Sequence, residues 1–146
     1  MAKPKVLFLC TGNTARSQMA EAFLRRYADD QFDVYSAGLE PEEISPYARV
    51  VMEEAGVSLE GHYSKGLAQY LGREHFGYLI TVCEQAEGAC PVFPGMGRRL
   101  YWPFEDPVPF DGSEDEKLAK FREVRDLIER RVLEWLRDLD AEGGEG

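Results

Sequence analysis

Cys10 and Arg16 stand in the run Cys10-Thr-Gly-Asn-Thr-Ala-Arg16-Ser17, with five residues between them. The backbone N–H groups of Thr11, Gly12, Asn13, Thr14 and Ala15 can curl into a concave nest for an anion. A helix starting just after them adds positive potential at the same point. Gly12 permits backbone geometry that a side chain would forbid. Arg16 offers a planar fork of donors that matches two oxygens of a tetrahedral oxyanion. A cysteine in that setting is expected to have a lowered pKa and to stand as a thiolate. Ser17 can donate a hydrogen bond to it. Thiolate, cradled oxyanion and arginine together are the equipment for nucleophilic attack on phosphorus or arsenic. The Cys–Arg spacing alone is a common accident. Its weight comes from lying between a buried strand and a helix start.

Two further cysteines, Cys83 and Cys90, stand seven positions apart and complete a count of three. An odd, low count with no export signal is not a disulfide framework. The pair can be two inert, buried thiols. It can join a histidine on zinc, although the spacing is not the usual one for metal ligands. It can also be redox-active. In one continuous helix the two Cα atoms would lie about 10 Å apart, whereas a disulfide requires about 5.5–6 Å. Redox chemistry therefore demands a loop or an unwinding segment, which Gly88 and Pro91 make feasible.

The elements that position these groups follow from hydrophobic patterning. Lys5 to Cys10, Phe32 to Ala37, Tyr78 to Val82 and a shorter Arg99 to Trp102 have the pattern of buried strands. Ser17 is expected to cap a helix from Gln18 to Ala28 that buries Ala20, Phe23, Leu24 and Tyr27. Ser45-Pro46 starts a second helix that ends at Ala55 before Gly56. Ser64 to Leu71 suggests a short third helix. Ser113 opens a long one to Leu139, with Leu118, Phe121, Val124, Ile128, Val132, Trp135 and Leu139 as its apolar stripe. Alternating strands and helices predict an α/β domain: a four-stranded parallel sheet with helices on both faces. Residues 1–140 form this single domain and 141–146 an acidic, flexible tail. Ligands in such sheets bind beyond the carboxyl ends of the strands. Cys10, Cys83 and Asp106 all fall at that edge.

The chain has 146 residues, 44% hydrophobic and 30% charged, the balance of one ordinary globular domain. Its formal charge of −10 argues against nucleic-acid and anionic-membrane partners. Val6 to Cys10 is too short for a signal-peptide core or a membrane span, so a cytoplasmic protein is expected. A monomer is the expected state. His62 and His75 are expected to be packed or surface residues, and Trp102 and Trp135 to be core.

Cys10 to Ser17 resembles the active-site loop of the low-molecular-weight protein tyrosine phosphatases. The resemblance covers nearly the whole chain and includes Glu21, Tyr35-Ser-Ala-Gly38 and Asp106-Pro107. It implies a phosphatase-like fold with Cys10 as nucleophile and Asp106 as general acid. An Asp-Pro pair is also a common turn, and Glu105 competes for the acid's role. Cys83 and Cys90, with Cys10-Thr-Gly-Asn, resemble the thioredoxin-coupled arsenate reductases that share this fold. That resemblance implies a relay. Cys10 attacks arsenate, Cys83 attacks Cys10 and releases arsenite, and Cys90 resolves the disulfide for thioredoxin. It implies no bound cofactor, thioredoxin as external reductant, and weak phosphatase activity on the same loop. A phosphatase for phosphotyrosine or small esters is the alternative. A non-catalytic oxyanion sensor is a third reading.

The match departs in places. Ala15 stands where many relatives carry a second loop cysteine, which the relay does not use. Val108, Pro109 and Phe110 follow Asp-Pro where phosphatases often carry tyrosines. Some relatives bind potassium with residues matching Asn13, Glu21 and Ser36. Here Lys65 stands nearby, and its own charge can replace the metal's.

Overall fold

The computed structural model describes residues 3–70, 75–83 and 96–143. Along the chain run β1 (Lys5–Cys10), α1 (Arg16–Ala28), β2 (Asp33–Gly38), α2 (Pro46–Glu54), a short 3-10 helix (Leu67–Gln69), β3 (Phe76–Thr81), β4 (Met96–Tyr101) and α3 (Glu114–Gly143). The four strands form one parallel sheet in the order β2-β1-β3-β4. Val6 to Cys10 of central β1 are all buried, so both faces of the sheet are covered at its middle. That burial explains the unbroken apolar run in place of alternation. β2 and β4 are the edge strands, and the exposed Arg98 of β4 suits an edge that must not pair further.

β4 has six residues and is as long as its neighbours, not shorter as the sequence suggested. A Cβ on Gly97 would lie 2.4 Å from the Gly77 carbonyl oxygen, so glycine here is what allows the two strands to close. Glycine next to prolines looks like a loop in sequence, which hid the first half of the strand.

α3 begins with a capping box. The Glu116 N–H donates to Ser113 Oγ at 3.2 Å, and the Ser113 N–H donates to Glu116 Oε1 at 3.0 Å. Phe121, Val124, Ile128, Val132 and Trp135 are buried as its stripe predicts, each contributing roughly 1.5–3 kcal/mol of transfer free energy. Trp135 meets Tyr78 at 5.1 Å and Trp102 at 5.6 Å between ring centroids, which ties α3 to the sheet. The helix runs on through Gly143 and takes in the first residues of the expected tail. Tyr27 belongs to no apolar face: it is 40% exposed, and its hydroxyl donates to Glu129 Oε2 on α3 at 2.6 Å. Ser45 caps α2 by accepting from the Tyr47 N–H at 3.2 Å. α2 docks on α3 through Tyr47 against Phe121 and through a two-pronged bond from Arg122 to Glu54. No helix among the described residues is long and apolar enough to cross a membrane.

Candidate active site

β1 ends at Cys10 and α1 begins at Arg16, so the intervening loop lies at the carboxyl edge of the sheet. Every carbonyl from Cys10 to Thr14 is engaged outside the loop's own turn. Leu39, Glu40, Glu42 and Ser45 donate their N–H groups to the carbonyls of Cys10, Thr11, Gly12 and Thr14 at 2.8–3.1 Å. The Asn13 carbonyl accepts from Ser64 Oγ at 3.0 Å. With the carbonyls tied outward, the trans peptide planes turn their N–H groups the other way, as an anion nest requires. Gly38 makes this possible. A Cβ there would sit 2.8 Å from the Asn13 nitrogen and from the Thr11 carbonyl oxygen.

Asn13 is the hub of the loop. It is buried, with φ at +54°, the left-handed conformation that asparagine tolerates best among side-chain-bearing residues. Its N–H donates to Cys10 Sγ at 3.1 Å. Its Nδ2 donates to Ser17 Oγ at 2.7 Å and to Ser36 Oγ at 3.0 Å. Its Oδ1 accepts from Gln18 Nε2 at 2.8 Å and from the Lys65 N–H at 2.9 Å.

Ser17 Oγ lies 2.9 Å from Cys10 Sγ and accepts from Asn13 Nδ2, which leaves its own proton free to be donated to the sulfur. It is not the helix cap expected from sequence. The N-cap is Ala15, which makes no side-chain cap bond. Ser64 likewise does not start a helix. It bonds the loop, residues 64–66 run beside the end of β2, and only Leu67–Gln69 turn helically.

The lowered Cys10 pKa expected from the loop is opposed by the burial of the thiol. Burial pushes the thiol above its ordinary value of 9.0, against the Ser17 hydroxyl, the Arg16 charge and the N–H groups of Asn13 and Ser17. Donors alone do not offset the loss of water around a sulfur this deeply enclosed.

Arg16 is buried, donates to the Phe104 carbonyl at 3.0 Å, and pairs with Asp106 Oδ2 at 3.3 Å. The other Asp106 oxygen accepts from the Val108 N–H at 3.0 Å. Asp106 is thus a turn aspartate and also a carboxylate facing the loop. Glu105 is turned to Lys120 at 3.2 Å. Cys10, Thr11, Gly12, Thr14, Arg16 and Asp106 line a cavity of about 130 Å³, with Val108, Glu40 and Glu42 at its wall. The two glutamates were not singled out in sequence, where an acidic Leu-Glu-Pro-Glu-Glu turn has no tie to the loop.

Cys83 follows β3 and is buried, with Sγ 3.4 Å from Thr11 Oγ1. The Val82 N–H donates to the Leu9 carbonyl at 2.9 Å, which carries the pairing past β3 and sets Cys83 next to the loop. Cys90, and the question of helix or loop after Cys83, lie outside the described residues. His62 bonds Gln18 Oε1 through Nδ1 at 2.9 Å, a packed histidine, and His75 is exposed.

Comparison with known proteins gives the same affiliation. The family described as low molecular weight phosphotyrosine protein phosphatase matches residues 5–144. An arsenate reductase of Halalkalibacterium halodurans is 40% identical over 132 residues, 90% of this chain and 94% of that protein. A solved arsenate reductase in a phosphate-binding state superposes with a TM-score of 0.72 at 28% identity, covering 92% of this chain and 98% of that one. The thioredoxin-dependent arsenate reductase of Corynebacterium glutamicum gives 0.71 at 28% identity, covering 96% of this chain and 63% of that one. The chain belongs to the low molecular weight phosphotyrosine protein phosphatase family, among relatives that are arsenate reductases.

Proposed function

We propose that the chain is an arsenate reductase that works through three cysteines and is regenerated by thioredoxin. The observation that carries the reading is Cys83, whose sulfur lies 3.4 Å from the residue next to Cys10. Hydrolysis of a phosphate ester has no use for a second thiol there. The size of the cavity agrees. At about 130 Å³ it is large enough for a tetrahedral oxyanion.

The chemistry balances as follows. Cys10 Sγ attacks arsenic of bound arsenate, and an As–O bond breaks. The Cys10 thiol proton passes by way of a bound arsenate oxygen to the Asp106 carboxylate, and Asp106 returns it to the departing hydroxyl, which leaves as water, while the loop N–H groups and Arg16 hold the remaining oxygens. Cys83 Sγ then attacks Cys10 Sγ. The S–As bond breaks, its electron pair stays on arsenic, As(V) becomes As(III), and arsenite departs. A Cys10–Cys83 disulfide remains. Cys90 attacks Cys83, frees Cys10, and leaves a Cys83–Cys90 disulfide that thioredoxin reduces by thiol exchange. No resident cofactor enters any step, and the reading takes the active species as a monomer.

Arsenate-dependent oxidation of NADPH, with thioredoxin and thioredoxin reductase, tests this. Sustained turnover that stops with Cys83→Ser is the expected result. The second reading, a phosphatase, is favoured by the Arg16–Asp106 pair, which ester hydrolysis would also use. Under that reading, arsenate gives no turnover and aryl phosphate hydrolysis survives Cys83→Ser.

A further inference from the structure

Glu21 and Lys65 form an ion pair in the interior behind the loop. Their side chains are 3% and 7% exposed, with Lys65 Nζ 3.6 Å from Glu21 Oε1. Lys65 Nζ also donates to the Tyr63 carbonyl at 2.9 Å and lies 4.8 Å from the centre of the Tyr63 ring. Arg25 reaches the other oxygen, Glu21 Oε2, at 2.9 Å from a half-exposed position. Two buried charges are costly unless they serve one another and a further purpose.

The purpose is legible in a chain of hydrogen bonds. The Ser36 hydroxyl donates to Glu21 Oε1. Ser36 Oγ and Ser17 Oγ each accept one proton of the Asn13 amide, and Ser17 then faces Cys10 Sγ. A carboxylate can only accept, so it fixes the Ser36 proton toward itself. That leaves Ser36 as an acceptor for the Asn13 amide, whose orientation is held from its other end by the Lys65 N–H donating to Oδ1. Ser17, accepting from that amide, has its proton left for the sulfur. Glu21 therefore keeps Ser36 in its accepting state at one end of the chain, and Lys65 balances its charge.

The family resemblance raises a potassium site formed by residues matching Asn13, Glu21 and Ser36. The residues of this chain do not fit such an ion. The Lys65 ammonium is already set against the same Glu21 oxygen that Ser36 bonds.

We propose that Lys65 is a positioning residue that acts as a built-in cation, balancing Glu21 so that the Glu21–Ser36–Asn13–Ser17 chain presents a hydroxyl proton to Cys10 Sγ. Activation of Cys10 is then indifferent to potassium. The inference rests on Cys10 being the nucleophile of the proposed reaction. Its readout is Cys10 alkylation, which needs no arsenate, so failure here and failure of the reductase reading are separate results.

Other titratable groups that line the same pocket as Glu21 and Lys65 are Arg25, Tyr35, His62, Tyr63 and Tyr70. Burial lowers His62, chiefly, and lifts Tyr70 to about 12, so both are neutral across the useful range. Cys10 itself faces Arg16, Asp106, Glu40 and Glu42 across the cavity.

The experiment is iodoacetamide alkylation of the full chain above about pH 7, read at the Cys10 peptide by mass spectrometry, in choline or potassium chloride. The parent protein should react equally in both salts. Lys65→Met should react about tenfold more slowly at a given pH in choline, a shift of about one pKa unit, and recover in potassium. Lys65→Arg should keep the parent rate. Glu21→Gln with Lys65→Met should also approach it, because a glutamine oxygen accepts from Ser36 without needing a cation. If Lys65→Met alone does not fold, the double variant decides. A parent-like profile in it supports the inference. An unchanged Lys65→Met, or a double variant as slow as the single one, overturns it.

Discussion

The Arg16 guanidinium is held by the Asp106 carboxylate at 3.3 Å, so the group that should grip an oxyanion is paired with the group proposed to protonate it. An incoming oxyanion competes for Arg16 and sets Asp106 beside its outer oxygen. Asp106 is 41% exposed on its side chain, which leaves it room to adjust.

This predicts opposite effects in Asp106→Asn. The turn survives, because an asparagine oxygen still accepts from the Val108 N–H. Loss of the acid should lower kcat about 10²–10⁴-fold, the usual range for general acid catalysis. Sulfate should bind more tightly, because Arg16 has lost its competitor. Steady-state kinetics and calorimetric titration with sulfate measure the two effects. Weaker sulfate binding would contradict this account of Arg16.

Ser17→Ala removes the hydroxyl donor to Cys10 and leaves one Asn13 amide proton without its acceptor. Stability should fall by about 1–3 kcal/mol, the cost of an unsatisfied buried group, and Cys10 alkylation near neutral pH should slow. Helix content should not change, because Ser17 is not the cap of α1. Urea melts and circular dichroism test this.

The buried Cys10 thiol carries a pH signature. Its folded pKa lies above its ordinary value of 9.0 because burial disfavours the thiolate. The fold therefore keeps a proton that the unfolded chain gives up more readily. Stability from this group is complete below the unfolded thiol's pKa and declines as pH rises through and above it. Cys10→Ala should flatten the stability profile on the alkaline side only. Alkylation of Cys10 in the anion-free protein should keep rising with pH to 9.0 and beyond; a plateau below pH 7 would contradict it.

Gly38→Ala tests how the loop is held. The added methyl would meet Asn13 and Thr11 backbone atoms at 2.8 Å, and backbone cannot swing aside as a flexible side chain can. A loss of about 1–3 kcal/mol and impaired sulfate binding are expected, measured by thermal melts and titration.

Much of this was legible in sequence for a plain reason. β1 is buried on both faces, so Lys5–Cys10 is an unbroken apolar run. α3 is amphipathic, so its stripe is periodic. What sequence obscured depends on direction. A serine ahead of a helix looks the same whether it caps the backbone or faces a sulfur, and Ser17 does the latter. Tyr27 has the spacing of a core residue but turns its hydroxyl to Glu129. The Cys10 pKa is a balance of burial against donors, and a motif shows only the donors. The link from Lys65 to Cys10 spans β2 and the loop through Glu21, Ser36 and Asn13, which no local pattern reveals.

The most direct test of the three-cysteine account is a single turnover in Cys90→Ser with arsenate and no thioredoxin. The account predicts one arsenite released per protein and a Cys10–Cys83 disulfide identified by peptide mass spectrometry. Both should be absent without arsenate. Arsenite release with Cys83 still a thiol, or no release at all, would contradict it.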